Sequence, residues 1–355
     1  MEQTRSNRGF SLLELLISMA LGLIVVGSAV QLFKSAMDST RVVVQRAELQ
    51  QNMRAAIELM TKDISLAGSG MPSGGIQLPT GGVPSLYGCD QTAVCHVPNG
   101  KYPNNYMYGV VPGFGDGVEA LATIPSAPAA VNDSITVVYA DLTFPLNEYN
   151  VAFPVGPPPT GGLVNIAPNP AFNPPPPLVT AAGGLQVGDM IWLSNTAGNA
   201  VGELTGFTNA TLAFADGDPL KINQSAAAAN NIKALSGGGT MLAYRIFVVT
   251  YYLSVPVNGD LPRLMRQVNG LTPVPVADNI INLQFAYDLY NATNNRLDSN
   301  QSNPLAIVGD DLNLVQKINI SVMGQSLVNN GKHAQSMALA TSVSAQNMAF
   351  RNRYQ

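Results

Sequence analysis

An uninterrupted apolar stretch near the start of the chain, residues 10–33, constrains the fold more than any other feature. It contains one ionisable side chain, Glu14. In a helix, which rises 1.5 Å per residue, a run of this length spans a hydrocarbon layer of about 30 Å. A carboxylate inside such a run costs roughly 2.5 to 3.5 kcal/mol at a helix centre and less near an end. The sequence therefore predicts a membrane-spanning helix in which Glu14 has a function and a positively charged partner.

The helical pattern continues beyond the apolar run, because residues 34–67 contain neither proline nor glycine. Apolar residues recur there every three or four positions, at Leu49, Met53, Ile57, Met60 and Ile64. This spacing places them on one face of a helix, and the glycines at 68 and 70 are typical of a helix end. We predict one helix over residues 10–67, with 10–33 crossing a membrane and 34–67 amphipathic and packed on a globular domain.

Residues 68–355 have the pattern of a loop-rich β domain. The chain has 33 glycines and 25 prolines, and 46% of its residues are hydrophobic against 11% charged, which favours a packed core with long loops over disorder. Strand patterns occur at 134–139, 185–193, 200–207, 211–214, 245–253, 264–268, 280–289, 315–323 and 337–350. Residues 68–132 are interpreted as long loops, and the proline-rich 144–178 as irregular or polyproline structure. The predicted fold class is α+β, with a long N-terminal helix packed on a large, mainly antiparallel β domain.

The residues around the start of the apolar run form a recognisable motif. Arg-Gly-Phe-Ser-Leu-Leu-Glu occupies positions 8–14, after a short leader with Arg5 and Arg8 against Glu2. This string resembles the N-terminal signal of type IV pilins and of type II secretion pseudopilins. The resemblance implies that a prepilin peptidase removes the leader 1–9 by cutting after Gly9 and methylates the new amine of Phe10. Glu14 would then be the fifth residue, facing the amine of a neighbouring subunit in a filament core.

Later passages resemble one branch of that superfamily, the PilW-type minor pilins. The passages lie in a consistent order, at 48–54, 63–68, 187–191, 245–252, 264–266, 277–285, 317–323 and 350–353. The resemblance implies a subunit that primes or caps a type IV pilus together with other minor and major pilins, an inner-membrane assembly platform and a large tip adhesin. It also implies a single-pass inner-membrane protein with a periplasmic C-terminal domain, which is later displayed on the pilus at the cell surface.

Three alternatives remain open at this level. A Sec signal peptide would need a small-residue cleavage site after the apolar core, and Ser28-Ala29-Val30 is a poor one because the helical pattern continues past it. A J-type pseudopilin of type II secretion would share the membrane helix but usually has a shorter domain. A membrane-tethered adhesin or carbohydrate-binding protein could use the aromatic run Tyr102, Tyr106, Tyr108 and Phe114, although packing within loops is the commoner use of such residues.

Catalytic motifs are absent from the sequence, so we predict no enzyme activity. The chain has two histidines, His96 and His333, and we interpret both as surface polar residues. No cofactor is expected, with one candidate for calcium at Asp298, Asn300 and Asn303, where oxygen ligands are spaced along the chain. This stretch lacks the glycine and the terminal glutamate of an EF-hand, and a solvated loop is the alternative interpretation.

Two cysteines, Cys89 and Cys95, lie six positions apart. In a periplasmic domain we expect them to form a disulfide, and closing so short a loop contributes roughly 2 kcal/mol in the chain-entropy model. Zinc would need about four ligands, and only His96 lies nearby. We therefore predict the disulfide and no zinc site.

The charge pattern disfavours a nucleic-acid partner. The net charge is −4, and basic residues cluster weakly, at Arg263 and Arg266 and at Arg351 and Arg353. A surface that takes up DNA needs a basic stripe that neutralises phosphates. We expect protein and membrane partners instead.

Overall fold

A long N-terminal helix and a set of antiparallel sheets make up the computed structural model, which confirms the α+β fold class. It describes residues 11–89, 106–115, 132–144, 146–154, 162–172, 184–224, 229–256, 261–306, 311–326 and 335–349. The strands are β1 (Ile76–Gln77), β2 (Tyr106–Met107), β3 (Val110–Gly113), β4 (Ser134–Ala140), β5 (Tyr149–Ala152), β6 (Leu163–Pro168), β7 (Met190–Asn195), β8 (Gly198–Glu203), β9 (Gly206–Phe207), β10 (Thr211–Ala213), β11 (Leu242–Ser254), β12 (Arg263–Val268), β13 (Val274–Ala277), β14 (Ile280–Asn291), β15 (Arg296–Gln301), β16 (Val315–Ser326) and β17 (Gln335–Ser344).

The predicted helix is observed as α1, Leu12–Ser65, which is 54 residues long. Its residues up to Gln50 belong to one compact unit of the chain, and those from Gln51 onward belong to a second. In the second unit, the side chains of Met53, Ala56, Met60 and Ile64 are fully buried. Ile57, which we expected in this stripe, is only partly buried, because Ala56 occupies the centre of the packed face.

The helix ends where the sequence predicts, at a glycine. Gly68 has a φ of +73°, a conformation that favours glycine because it has no Cβ. Its N–H donates to the carbonyl of Val138 over 2.8 Å, and Ala140 N donates to the carbonyl of Ser69 over 2.8 Å. The end of the helix is therefore hydrogen-bonded directly to strand β4.

A seven-stranded antiparallel sheet is centred on β11. Its order is β13-β12-β11-β4-β3, with β7 and β8 joined to β11 as well. One edge of β11 pairs with β4 over residues 246–251. The other edge pairs with β7 over residues 242–246 and with β12 over residues 249–254. One thirteen-residue strand thus holds three neighbours in register.

Two four-stranded sheets and one two-stranded sheet complete the β structure. Their orders are β5-β6-β10-β9, β15-β14-β16-β17 and β1-β2. A backbone clamp at the start of β4 joins the large sheet to β14. Asn132 accepts from Leu283 N over 2.9 Å, and Asp133 accepts from Phe285 N over 3.0 Å. These two polar side chains are buried, and their hydrogen bonds offset the cost of removing them from water.

Several predicted element bounds are wrong. Strand β7 begins at Met190 rather than at 185, because Gly188 has a φ of +94° and Asp189 accepts from Gln186 N in a turn. The proline-rich stretch 144–178 contains two regular strands, β5 and β6, in its described part. The strand predicted over 337–350 ends at Ser344, and a short helix, α2 (Gln346–Ala349), follows. The region 68–132 contains only the short strands β1, β2 and β3 among its described residues, as expected.

A buried carboxylate, Asp63, fixes the end of α1 to the large sheet. Its side chain accepts from Tyr251 OH over 2.6 Å, from Tyr139 OH over 3.1 Å and from Arg266 Nε over 2.7 Å. We call these four residues the Asp63 cluster. The three donors stand on adjacent strands β4, β11 and β12, on the same face of the sheet. One helix residue is thereby bonded to three strands.

The electrostatics of the Asp63 cluster keep its donors protonated. Burial, together with the Asp63 charge, raises the pKa of Tyr251 and of Tyr139 well above the usual range for tyrosine. Both hydroxyls therefore donate to the carboxylate at any physiological pH. The Asp63 side chain is 4% exposed and that of Arg266 is 25% exposed, so the ion pair is largely shielded from solvent.

Replacing Asp63 tests how strongly this cluster stabilises the fold. Asp63→Ala leaves one cation and two buried hydroxyls without their acceptor, so we expect the free energy of unfolding to fall by about 3 kcal/mol. The measurement is denaturant unfolding of the purified protein in detergent, followed by the fluorescence of Trp192, the single tryptophan.

Glu58→Ala is the matched control, because Glu58 is an exposed acid about one turn earlier on the same helix. This control should change the free energy of unfolding by no more than about 0.5 kcal/mol. If both variants unfold at the same denaturant concentration as the parent, the Asp63 cluster does not stabilise the fold.

Candidate functional site

Glu14 lies in the first turn of α1. The side chain of Ser11 caps this turn by accepting from Leu13 N over 3.3 Å, and the carbonyl of Ser11 accepts from Glu14 N over 3.0 Å. A carboxylate in the first turn interacts favourably with the positive end of the helix dipole. Glu14 is exposed, and no described residue forms an ion pair with it. Within the described chain, its negative charge has no cationic partner.

The apolar surface that follows Glu14 is uncovered. Every residue from 11 to 41 is exposed, including Leu12 at 80% and Phe33 at 69% of their full accessibility. Burying one such side chain is worth about 1.5 to 3 kcal/mol, so a surface of this size is stable only in lipid or against other protein. Among the described residues, α1 is the one helix long and apolar enough to cross a membrane.

The other polar groups inside the apolar run are satisfied within the helix. Ser18 Oγ donates to the carbonyl of Leu15 over 2.9 Å, and Ser28 Oγ donates to that of Ile24 over 2.6 Å. The helix is unbroken at Gly22 and Gly27, and a Cβ at either position would meet no atom within 4 Å. Glu14 is therefore the one group in the described part of the run that needs a partner from elsewhere.

The predicted processing site lies outside the described residues. Gly9 and Phe10 both fall there, so cleavage between them stays a prediction. The disulfide does so as well, because Cys89 is fully buried but Cys95 is not among the described residues.

The candidate calcium residues do not form the solvated loop that we gave as the alternative. Asp298 and Asn300 lie on strand β15. The Asp298 carboxylate already accepts from Asn291 Nδ2 over 2.9 Å and from Arg296 Nε over 3.0 Å, while Asn300 N donates to Asp288 over 2.8 Å. Among the described residues, no three or more His, Cys, Asp or Glu side chains are grouped to hold a metal. Calcium binding at Asp298, Asn300 and Asn303 stays a prediction, and it would displace these donors.

The aromatic run is divided between packing and surface. The Tyr106 and Tyr108 rings lie 6.1 Å apart and are tilted by 35°. Tyr106 OH accepts from Gln77 Nε2 over 3.2 Å, and Tyr108 packs on the core beside β1 and β2. Phe114 is exposed, and Tyr102 lies outside the described residues. Tyr106 and Tyr108 thus serve the loop packing that we gave as the alternative use.

Sequence reasoning missed an ionic cluster around Arg245. Its guanidinium pairs with Asp141 and lies 3.5 Å from Asp189, between the rings of Phe144 and Phe247. Although burial opposes ionisation of Asp141, hydrogen bonds from Thr143 and Arg245 hold its pKa below the ordinary value. Burial raises the pKa of Asp189 above its ordinary value. The cation and carboxylates satisfy one another, which favours a structural role. The only sequence signal was an arginine at the start of a strand pattern.

Comparison with known proteins agrees with the N-terminal geometry. A family model described as the prokaryotic N-terminal methylation motif matches residues 4–30. The pilin-like protein PilA3 of Thermus thermophilus is 36% identical over 62 residues, which are 18% of this chain and 27% of that relative. The chain thus aligns with about a quarter of the length of this relative. No solved structure matches. The motif and this relative, together with the exposed apolar helix and its single acid, identify the chain by its N-terminal segment as a type IV pilin-type protein.

Proposed function

We propose that this protein is a minor pilin of a type IV pilus, which assembles through α1 and Glu14 and helps to prime or cap the filament. The observation that carries the proposal is the uncovered apolar helix with one acid near its start. A membrane anchor alone gains nothing from that acid, which costs free energy in lipid. A subunit that moves from the membrane into a helical filament core needs both the apolar surface and a charge for docking.

In this proposal Glu14 pairs with the methylated amine of Phe10 on a neighbouring subunit. The two charges meet in an apolar surrounding where water cannot screen them, so their attraction is strong. A subunit in the wrong axial position would leave both charges unpaired. Breaking one side of a buried pair costs about 3 to 5 kcal/mol, so the pair selects one register.

The proposed partners follow from the same assembly. The prepilin peptidase would act first, at Gly9, and the inner-membrane assembly platform would then pass the subunit into the filament. Other minor and major pilins would contact α1, and the branch resemblance adds a large tip adhesin. The protein would begin in the inner membrane with its β domain in the periplasm and end in the pilus at the cell surface. The role is structural, with no catalysis.

Replacing Glu14 tests the docking step. Glu14→Leu should keep normal membrane insertion and cellular amount, because the helix becomes more apolar, but the variant should be lost from sheared filaments. A cost of about 3 kcal/mol or more corresponds to a decrease of at least about a hundredfold in incorporation. The measurement is immunoblotting of membrane and sheared-filament fractions.

Asp38→Asn is the control, because Asp38 is an exposed acid on the same helix beyond the apolar run. It should be incorporated like the parent. Equal amounts of the Glu14→Leu and Asp38→Asn variants in filaments would rule out docking through Glu14.

Replacing the last leader residue tests the processing step. Gly9→Trp places a bulky side chain at the scissile bond, and the protein should keep its leader and an unmethylated N-terminus at Met1. Intact mass and N-terminal sequencing of the membrane form check this. Ser6→Trp places the same side chain within the leader away from the bond and should still yield Phe10 as the first residue. A Gly9→Trp protein that starts at Phe10 would contradict the assignment.

A further inference from the structure

Strand β17 is an open edge with none of the features that usually prevent two sheets from joining. It is the terminal strand of the β15-β14-β16-β17 sheet and is ten residues long. Its residues include no charge, no proline and no glycine. An edge of this kind presents unpaired N–H and C=O groups to any strand that approaches.

The other described sheet edges are protected. Strands β5 and β9 are four and two residues long. Strands β3 and β13 contain Pro112 and Pro275, which cannot donate to a new ladder. Strand β15 carries Arg296 and Asp298 and a bulge opposite β14. The contrast with β17 is therefore specific to one edge of the domain.

The direction of the backbone groups in β17 follows from one hydrogen bond. Ala345 N donates to the carbonyl of Gln316 on β16 over 2.9 Å. Backbone groups point alternately to the two sides of a strand, so those of the even-numbered residues 336–344 point to the open edge. The side chains of these residues are also the exposed ones: they are Ser336, Ala338, Ala340, Ser342 and Ser344. All five are small, so a second strand can approach without steric obstruction.

We propose that β17 pairs antiparallel with β17 of a second copy of this chain, about a two-fold axis at Ala340. In this register Ser336 lies opposite Ser344, Ala338 opposite Ser342, and Met337 opposite Val343. A strand without charge pairs with itself without repulsion, and the match keeps small residues on one face and apolar residues on the other. A shift of the axis to Leu339 would place Gln335 opposite the buried Val343 and would pair fewer of the outward-pointing groups. The pairing is separate from the proposed assembly through Glu14, and either can hold without the other.

Cross-linking of the full-length protein in detergent micelles tests the pairing and its register. The two copies of residue 340 face one another with Cβ atoms about 5 Å apart, so Ala340→Cys should give covalent dimers with a short bifunctional thiol reagent. The two copies of residue 336 are separated by about 27 Å along the strands, so Ser336→Cys should remain monomeric. The double variant Ser336→Cys/Ser344→Cys should again give dimers. The parent chain, with Cys89 and Cys95, sets the background.

A charge placed on the edge should break the pairing. Ala340→Lys in the Ser336→Cys/Ser344→Cys protein sets two cations opposite one another, and the dimer yield should fall at least tenfold. Ser321→Lys is the matched control, because Ser321 is exposed on β16, whose two edges are already paired. This control should leave the yield unchanged. Equal yields at 336 and 340 would mean random collision, and no dimer at 340 or in the double variant would mean no pairing; either result overturns the proposal.

Discussion

An apolar helical surface that its own chain does not cover is the constraint on which the rest of this molecule depends. Residues 11–41 are exposed, and the favourable free energy of burying them must come from lipid or from other subunits. Glu14 turns this general need into a specific one, because its charge in apolar surroundings requires a cation at one position. The proposed assembly follows from this pair of features, an apolar surface for affinity and one charge for register.

The second half of the same helix obeys different physics. Met53, Met60 and Ile64 are buried, and the Asp63 cluster bonds the helix to three strands at once. A force along α1 would therefore be shared by β4, β11 and β12, whose ladders run through the centre of the large sheet. In a filament subunit this connection suits a helix that is held by neighbours while its β domain faces solvent.

The sheet edges show how the domain manages its surface. Proline, short length and charge protect the described edges other than β17. The open edge of β17 is formed by backbone groups rather than by large apolar side chains, so it adds no apolar patch to the surface. The two exposed features of the chain, the N-terminal helix and the β17 edge, thus invite different contacts: one recognises apolar helices and a charge, the other recognises an extended backbone.

The sequence by itself determined the helix, the class of the fold and the position of Glu14. These depend on local properties, namely apolar period, glycine placement and one charge in an apolar run, which are readable from neighbours along the chain. Most strands were also predicted within a few residues, since β-branched alternation is equally local. Strand β15 was missed because its residues Arg296, Asp298 and Asn300 are polar and turn-like, and only pairing with β14 makes them extended. The Asp63 cluster and the Arg245 ionic cluster were likewise invisible, because their members are 76 to 203 positions apart in the first and 104 in its closest pair in the second. Only the tertiary structure decided which polar side chains were buried together and which edge stayed open, because both depend on strand order, and strand order is set by contacts between distant parts of the chain.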